Sequence, residues 1–417
     1  MEAPDQSGHR GPQFLPDGLH VLYYVDGTPE SQGVYVSDLD GSAQRRLLDA
    51  DSAAIYAPSG QLLFRRQGTL FAQDFDLARL ELVGNPYSVA TDVAVDGNSP
   101  PVSVSATGTI VYRTGGSGGR RQFAWFDRSG NRLDSLDDFD NGGVNPSMSP
   151  DGRFVAVHRS VSGNVDIWLL ELERGLFRRL TLDTGLDIVP VLSSDGHRVA
   201  FASNRAGQFD LYSRPADGSG ADELLLATPD FEIAQDWSPD GRVLLYRSRD
   251  PKGTLDLWAL PLDGDRTPFP ITQTNFNEKD GQFSPDGKWI AYQSDESGRF
   301  EIYVQPFTGP GGKSQISTGG GAQPRWPRDG GELFYVGPDN RLMAVPIRLD
   351  SKAMVVDAGA PVPLFATRVD SSVLSSDSQQ YVISADGQRF LMNTVVEQAA
   401  TPLTVILNWK PGTPGQK

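Results

Sequence analysis

The sequence predicts an all-β protein, a β-propeller built from nine repeats of about 45 residues, each a four-stranded antiparallel blade. Three observations carry this. A turn motif of the Ser-Pro-Asp-Gly type recurs along the chain, its period lies in the forties, and each copy is followed by a short run rich in Val, Ile and aromatic residues.

The clearest motifs are Ser149–Gly152, Ser238–Gly241 and Ser284–Gly287. Leu15–Gly18, Ser193–Gly196, Pro327–Gly330 and Ser384–Gly387 are looser, and Ala57–Gly60 and Ser105–Gly108 are degenerate. Their glycines fall at 18, 60, 108, 152, 196, 241, 287, 330 and 387, so the spacing runs from 42 to 57. In each motif Pro presets φ, Asp can close a turn onto the following backbone, and Gly takes the positive φ that ends a hairpin. The motif therefore joins the first two strands of a blade, numbered 1 to 9 in chain order.

The second strand reads Trp289-Ile290-Ala291-Tyr292 in blade 7 and Val199-Ala200-Phe201 in blade 5. A polar loop follows, then a third strand such as Asp166-Ile167-Trp168, Asp210-Leu211-Tyr212, Asp256-Leu257-Trp258 or Glu301-Ile302-Tyr303. A weaker fourth strand ends near Arg179-Leu180-Thr181 or Pro270-Ile271-Thr272. Four positions before each motif glycine stands an apolar residue: Phe14, Tyr56, Val104, Met148, Leu192, Trp237, Phe283, Trp326 and Ile383. These are expected to pack against the neighbouring blade, so that no blade is stable alone.

The expected organisation is one closed nine-bladed ring over residues 11–409, with tails at 1–10 and 410–417. The alternatives are eight blades, or a six-bladed ring of the cleaner copies with three extra blades. Leu403–Asn408 reads as the last strand of the final blade, which lacks its outer strand or borrows one from residues 1–10.

Composition agrees and excludes several functions. The chain of 417 residues has 45 Gly and 30 Pro, which disfavours long helices, while 7 Trp, 12 Tyr and 20 Phe supply a core. A net charge of −16 repels nucleic acid and anionic membrane. The absence of cysteine removes disulfides, thiolate metal sites and thiol catalysis. No run reaches the ~18 apolar residues of a membrane helix, and the amino terminus has no basic start or apolar core of a signal peptide.

On these motifs the repeat resembles that of TolB-like propellers. The stretch from Asp280 through Ser294 and Glu301–Pro306 to Pro402–Trp409 resembles the C-terminal propeller region of bacterial membrane-anchored serine/threonine kinases. The resemblance covers nearly the whole chain. It implies a sensor or interaction region, periplasmic or otherwise extracytoplasmic, without catalysis, and as alternatives a scaffold protein of a cell-envelope complex or a propeller hydrolase or its accessory domain.

No kinase glycine loop or catalytic aspartate loop is present: His9-Arg10 and His197-Arg198 lead into Gly11 and Val199. Gly311-Gly312-Lys313-Ser314 lacks the first glycine of a phosphate loop, that position being Phe307. Gly115–Gly119 fits a Gly-x-Ser-x-Gly elbow in letters but lies in a glycine loop between two strands of blade 3 rather than at a strand-to-helix turn. Asp127–Asn131 reads as a β-turn rather than a calcium loop. The histidines His9, His20, His158 and His197 are scattered and are expected to be solvated. No catalytic residue, metal ligand or cofactor is expected.

The third-strand carboxylates Asp166, Asp210, Asp256 and Glu301 recur with the repeat and are expected to be structural, with Ser160, Ser203, Ser248 and Ser294 as partners. Function is sought where repeats differ, in the loop before the innermost strand. There Asp187, Glu232, Gln235, Glu278, Lys279, Asp280, Arg325 and Gln379 are expected to line a channel mouth formed by blades 5 to 8, the carboxylates focusing a negative field. The expected partner is a protein or peptide, or a small cationic or zwitterionic ligand. Nucleic acid and membrane insertion are excluded, and a monomer is expected.

Overall fold

Each of the nine motifs turns the first strand of a sheet into its second. The computed structural model describes residues 6–27, 31–41, 43–91, 93–94, 102–114, 121–135, 144–161, 164–250, 253–309, 311–367, 369, 379–395, 403–407 and 409, and these form strands, turns and loops. Gly115–Gly119 lies outside the described residues.

Blade 7 shows the mechanics of the turn. Ser284 Oγ donates to Asp286 Oδ1 at 2.6 Å and accepts the Trp289 amide at 3.0 Å, while the same Asp286 oxygen accepts the Lys288 amide at 3.1 Å. Gly287 takes a φ of +70°, which a side chain rarely adopts. The same Ser–Asp clamp closes blades 4, 5, 6 and 9. Blades 2 and 3 lack the Asp, and their hairpins are one residue shorter: Ala57 bonds Gln61 and Ser105 bonds Thr109, where Ser284 reaches five residues on to Trp289. Asp127–Asn131 is a turn as expected, with Asp127 accepting the Ser129 and Asn131 amides.

The nine-bladed single ring is corrected. The chain divides into two units, residues 121–396 and residues 1–120 with 397–417. In the larger unit, Arg121–Asp127 pairs along its length with Arg389–Val395, from Arg121 opposite Val395 to Asp127 opposite Arg389. Blade 9 is thus assembled from both ends: Tyr381–Ile383 and Arg389–Val395 inside, Arg121–Asp127 and Arg132–Ser135 outside. Its outer strands come from here and not from residues 1–10.

Blades 4 to 9 pack in cyclic succession through six apolar clusters. Leu192 and Phe201 meet Ile167 between blades 4 and 5, Trp237 meets Val191 and Leu211 between 5 and 6, and Phe283 meets Leu245 and Leu257 between 6 and 7. Trp289 meets Tyr335 between 7 and 8, and Phe334 meets Phe390 between 8 and 9. Phe123 and Leu391 with Val155 and Leu170 then join blade 9 to blade 4. The six-bladed alternative describes this unit.

The smaller unit holds blades 1 to 3. Its first strand begins at Gln6, inside the expected tail, and the strand Leu403–Ile406 pairs with Ile110–Arg113 of blade 3, not with blade 9. One cluster joins blades 1 and 2 through Leu22, Tyr24, Leu62 and Phe64, and another joins blades 2 and 3 through Leu63, Leu70, Ile110 and Tyr112.

The residue four before the motif glycine packs toward the preceding blade in blades 2 to 9, as expected; Phe14 of blade 1 is the exception, at 68% exposure. Phe283 is buried and meets Phe307 edge-on at 4.9 Å. Phe283→Ala should therefore cost about 3–5 kcal/mol in urea unfolding, the range for truncating a buried aromatic.

Candidate functional site

The expected channel-mouth carboxylates are buried at the start of the innermost strands. Asp187, Glu232 and Glu278 stand opposite Ser203, Ser248 and Ser294 of the second strand. Ser294 Oγ donates to Glu278 Oε1 at 3.0 Å, Thr274 Oγ1 donates to the same oxygen at 2.9 Å, and Thr228 donates to Glu232 as Thr274 does to Glu278. Asp187 accepts Arg205 Nη2 at 3.1 Å, and burial raises its carboxyl while the Ser203 hydroxyl beside it lowers it. Asp187 and Glu232 are 0% exposed and Glu278 1%, so they hold loops onto strands and do not form a solvent-facing negative funnel. Two of the serines assigned to third-strand carboxylates serve this purpose instead. Asp166 pairs with Arg179, Asp256 accepts the Thr274 amide, and Glu301 accepts the Ser317 hydroxyl and the Gly320 amide.

Burial pushes the carboxyls of Glu232 and Glu278 up to about 7 from their ordinary 4.5, against the lowering by their hydroxyl donors. The folded protein then holds protons that the unfolded chain has released. Stability from these groups is complete below pH 4.5 and is lost as pH rises toward 7. Glu232→Gln with Glu278→Gln should flatten that decline and raise stability at pH 8 by about 1–3 kcal/mol per site, read from urea unfolding across pH 4 to 8.

The other candidates line the inner strands as structural groups. Lys279 Nζ lies 4.8 Å from the Phe300 ring centre, and Arg325 donates to the Pro324 carbonyl at 2.8 Å and covers Tyr381. Gln282 reaches the Gln235 carbonyl at 3.3 Å, and Asp280 is buried at a φ of +54°.

Gln379 belongs to a hydrogen-bonded belt that crosses all six seams. The Gln379 amide donates to Asn145 Oδ1 (2.5 Å), Gln380 to Gln323 Oε1 (2.8 Å), and Gln323 to Gln293 Oε1 (3.0 Å). Phe283 donates to Asp236 Oδ2 (2.8 Å), Trp237 Nε1 to the Val191 carbonyl (3.0 Å), and Leu192 to Ser147 Oγ (2.9 Å). His158 accepts the Val189 amide at 3.1 Å, and burial lowers its imidazole to about 4, so it is a neutral seam residue and not a solvated one. Seven positions before the motif glycine, Asn145, Val189, Asp280 and Gln323 all take positive φ at a bulge, a costly conformation that recurs where the belt forms.

The open site lies at the other end of the inner strands, about 15 Å along from Glu278. A cavity of about 640 Å³ opens among the motif turns of blades 4 to 9. Its apolar wall is Trp125, Met148, Trp237, Phe283, Trp326 and Ile383. Five of these are the residues four before a motif glycine, so one side chain seals a seam and also faces the cavity. Sequence reasoning assigned only the first role.

Asp151, Asp236, Asp386, Gln282, Arg328 and Arg389 supply the polar groups. Burial raises Asp236 to about 7, opposed by the Phe283 amide and the Arg325 charge. Arg389 lies over Trp125 at 5.1 Å, and Arg328 reaches the Pro150 carbonyl at 3.0 Å. The rim hydroxyls of Ser149 and Ser384 donate to their motif aspartates and are occupied in the turns. Aromatic faces, two guanidinium groups and carboxylates at one opening suit a chain with alternating apolar and charged side chains.

Residues 128–256 match the TolB beta propeller domain family, PD40. A Tol-Pal system protein TolB of Anaeromyxobacter dehalogenans is 32% identical over 94 residues, 22% of this chain and 21% of that protein. An uncharacterized protein of Agrobacterium fabrum is 29% identical over 111 residues, 24% of this chain and 38% of its own. The chain thus spans about a fifth to two fifths of these relatives. Among solved structures, a TolB-type protein from Agrobacterium tumefaciens superposes with a TM-score of 0.50 at 18% identity, over 67% of this chain and 99% of its own, which supports the fold.

Proposed function

Because the chain carries a TolB-like β-propeller domain, we propose that it is a non-catalytic binding protein, a scaffold that holds a peptide segment of a protein partner in the cavity of blades 4 to 9. The observation that carries this is the aromatic wall of that cavity with Arg328, Arg389 and Asp236 beside it. The curated relative of A. dehalogenans is named as part of the Tol-Pal system, so the scaffold of an envelope complex replaces the kinase-sensor setting as the leading reading. On the same ground the chain works outside the cytoplasm. Among the described residues no helix is long and apolar enough to cross a membrane.

Trp125, Trp237 and Trp326 give the cavity its own fluorescence reporter. Peptides selected from a displayed random library on the purified protein should shift this emission. Trp326→Ala should weaken them by about tenfold or more, since a central aromatic anchor carries much of such an interface. Glu232→Gln with Glu278→Gln, buried at the far end of the strands, should leave them unchanged. Peptides that bind Trp326→Ala as well as the parent would remove the cavity from the mechanism.

A further inference from the structure

In blades 5 to 7 the face toward the preceding blade is built from four repeated positions. In blade 6 they are Trp237, Leu244, Tyr246 and Leu262, and in blade 7 Phe283, Ile290, Tyr292 and Phe307, all within seam clusters. The same positions in blade 1 are Phe14, Val21, Tyr23 and Leu39. Here Phe14 is 68% and Leu39 55% exposed, Val21 and Tyr23 are half-buried, and a cavity of about 330 Å³ lies over the face.

Blade 3 shows the opposite half of a seam. In blade 2, Leu70 and Ala72 of the third strand are 0% exposed against blade 3. Their counterparts in blade 3, set by the pairing of Arg113 with Leu403 and Val111 with Val405, are Leu403 and Val405, at 63% and 50%. Among the described residues the smaller unit therefore ends in two exposed seam faces, one of each kind.

We propose that blades 1 to 3 form half of a six-bladed ring, which a second copy of this chain completes head to tail. Blades 4 to 9 show that this repeat closes after six sheets, so three span half a turn. Two such arcs related by a two-fold axis place each blade-1 face on the other copy's blade-3 face, and the contact closes without an open end. The four strands of blade 1, about 4.8 Å apart and about six residues long, give a face of about 380 Å², and the three shorter strands of blade 3 one of about 190 Å². Two seams, each with one face of either kind, then bury about 1,100 Å², above the ~1,000 Å² of a specific interface. The contact also continues the stack already formed by the seams between blades 1, 2 and 3. A dimer replaces the monomer expected from sequence.

Sedimentation velocity on the full chain tests this. The parent should sediment as a dimer, and Phe14→Lys or Val405→Asp alone should raise the dissociation constant by about 100-fold or more, since each charge enters both seams unpaired. Mixing the two variants should restore a dimer, because the hetero pair has one parental seam and one in which lysine meets aspartate. Both side chains are exposed, so the thermal transition of each variant monomer serves as the folding control. A parent that stays monomeric at tens of micromolar, variants that still dimerise, or a mixture that stays monomeric would each overturn the proposal. In the first case the faces belong to blades supplied by something other than a second copy.

Discussion

A fragment from Val144 to Val396 is expected to lose the cooperative thermal transition that the fragment from Arg121 to Val396 retains. The longer fragment holds all six seams. The shorter one loses both outer strands of blade 9 and leaves Arg389–Val395 as a bare edge. It also loses Phe123, 1% exposed, from the cluster that joins blade 9 to blade 4. A seven-pair ladder and that apolar contact together contribute about 5–10 kcal/mol, comparable to the whole stability of a domain. Scanning calorimetry of the two fragments measures it. Equal transitions would show that the ring does not depend on its two-ended blade. The shorter fragment should also aggregate, since an unpaired apolar edge is a template for strand addition.

Arg205→Ala should cost about 3–5 kcal/mol, the loss expected when a buried carboxylate is left without its partner. Arg205 donates to Asp187 at 3.1 Å, Asp222 at 2.6 Å and Ser203 at 2.8 Å, and its guanidinium lies 4.5 Å from the Tyr212 ring centre. Asp187 is fully buried, and Asp187 Oδ2 has no partner among the described residues even with Arg205 in place. Adding Asp187→Asn should recover about half of the loss, because the group left behind is then neutral. Urea unfolding of the four proteins gives the coupling directly. If Asp187→Asn recovers nothing, the loss comes from Arg205 stacking on Tyr212 and Phe201.

What could be read from sequence was what the repeat determines locally. The Ser-Pro-Asp-Gly turn is made by contacts within five residues, so Ser284, Asp286 and Gly287 announce it without help from the rest of the chain. The residue four before the glycine was legible for the same reason, since each blade repeats one seam. The ring size was not. It depends on whether Arg121–Asp127 finds Arg389–Val395, a pairing across the unit that no period records.

The offsets of Asp187, Glu232 and Glu278 correctly marked equivalent positions, but exposure was misjudged. The signal was available in Thr228 and Thr274, each four residues before its glutamate, and in the serines opposite on the next strand. The amide belt could have been found by aligning Asn145, Gln323 and Gln380 seven places before their glycines. The cavity required three dimensions, because Trp237 and Trp326 serve the seam and the opening with the same ring.

Blade 3 has a consequence for synthesis. Ile110 pairs with Ile406, and between them lies the whole six-bladed unit, whose own ends meet where Arg121 pairs with Val395. The larger unit is an insertion in the smaller one, and on the ribosome it is complete before Leu403 emerges. At about 5–20 residues per second, Ile110–Arg113 waits about 15–60 s for its third strand. Through that interval Ile110–Arg113 has only Val102–Val104 to pair with in this sheet, and its other edge stays open. A fragment ending at Val396 should therefore show a protease-resistant larger unit beside a smaller one that is still cut, and the full chain should protect both.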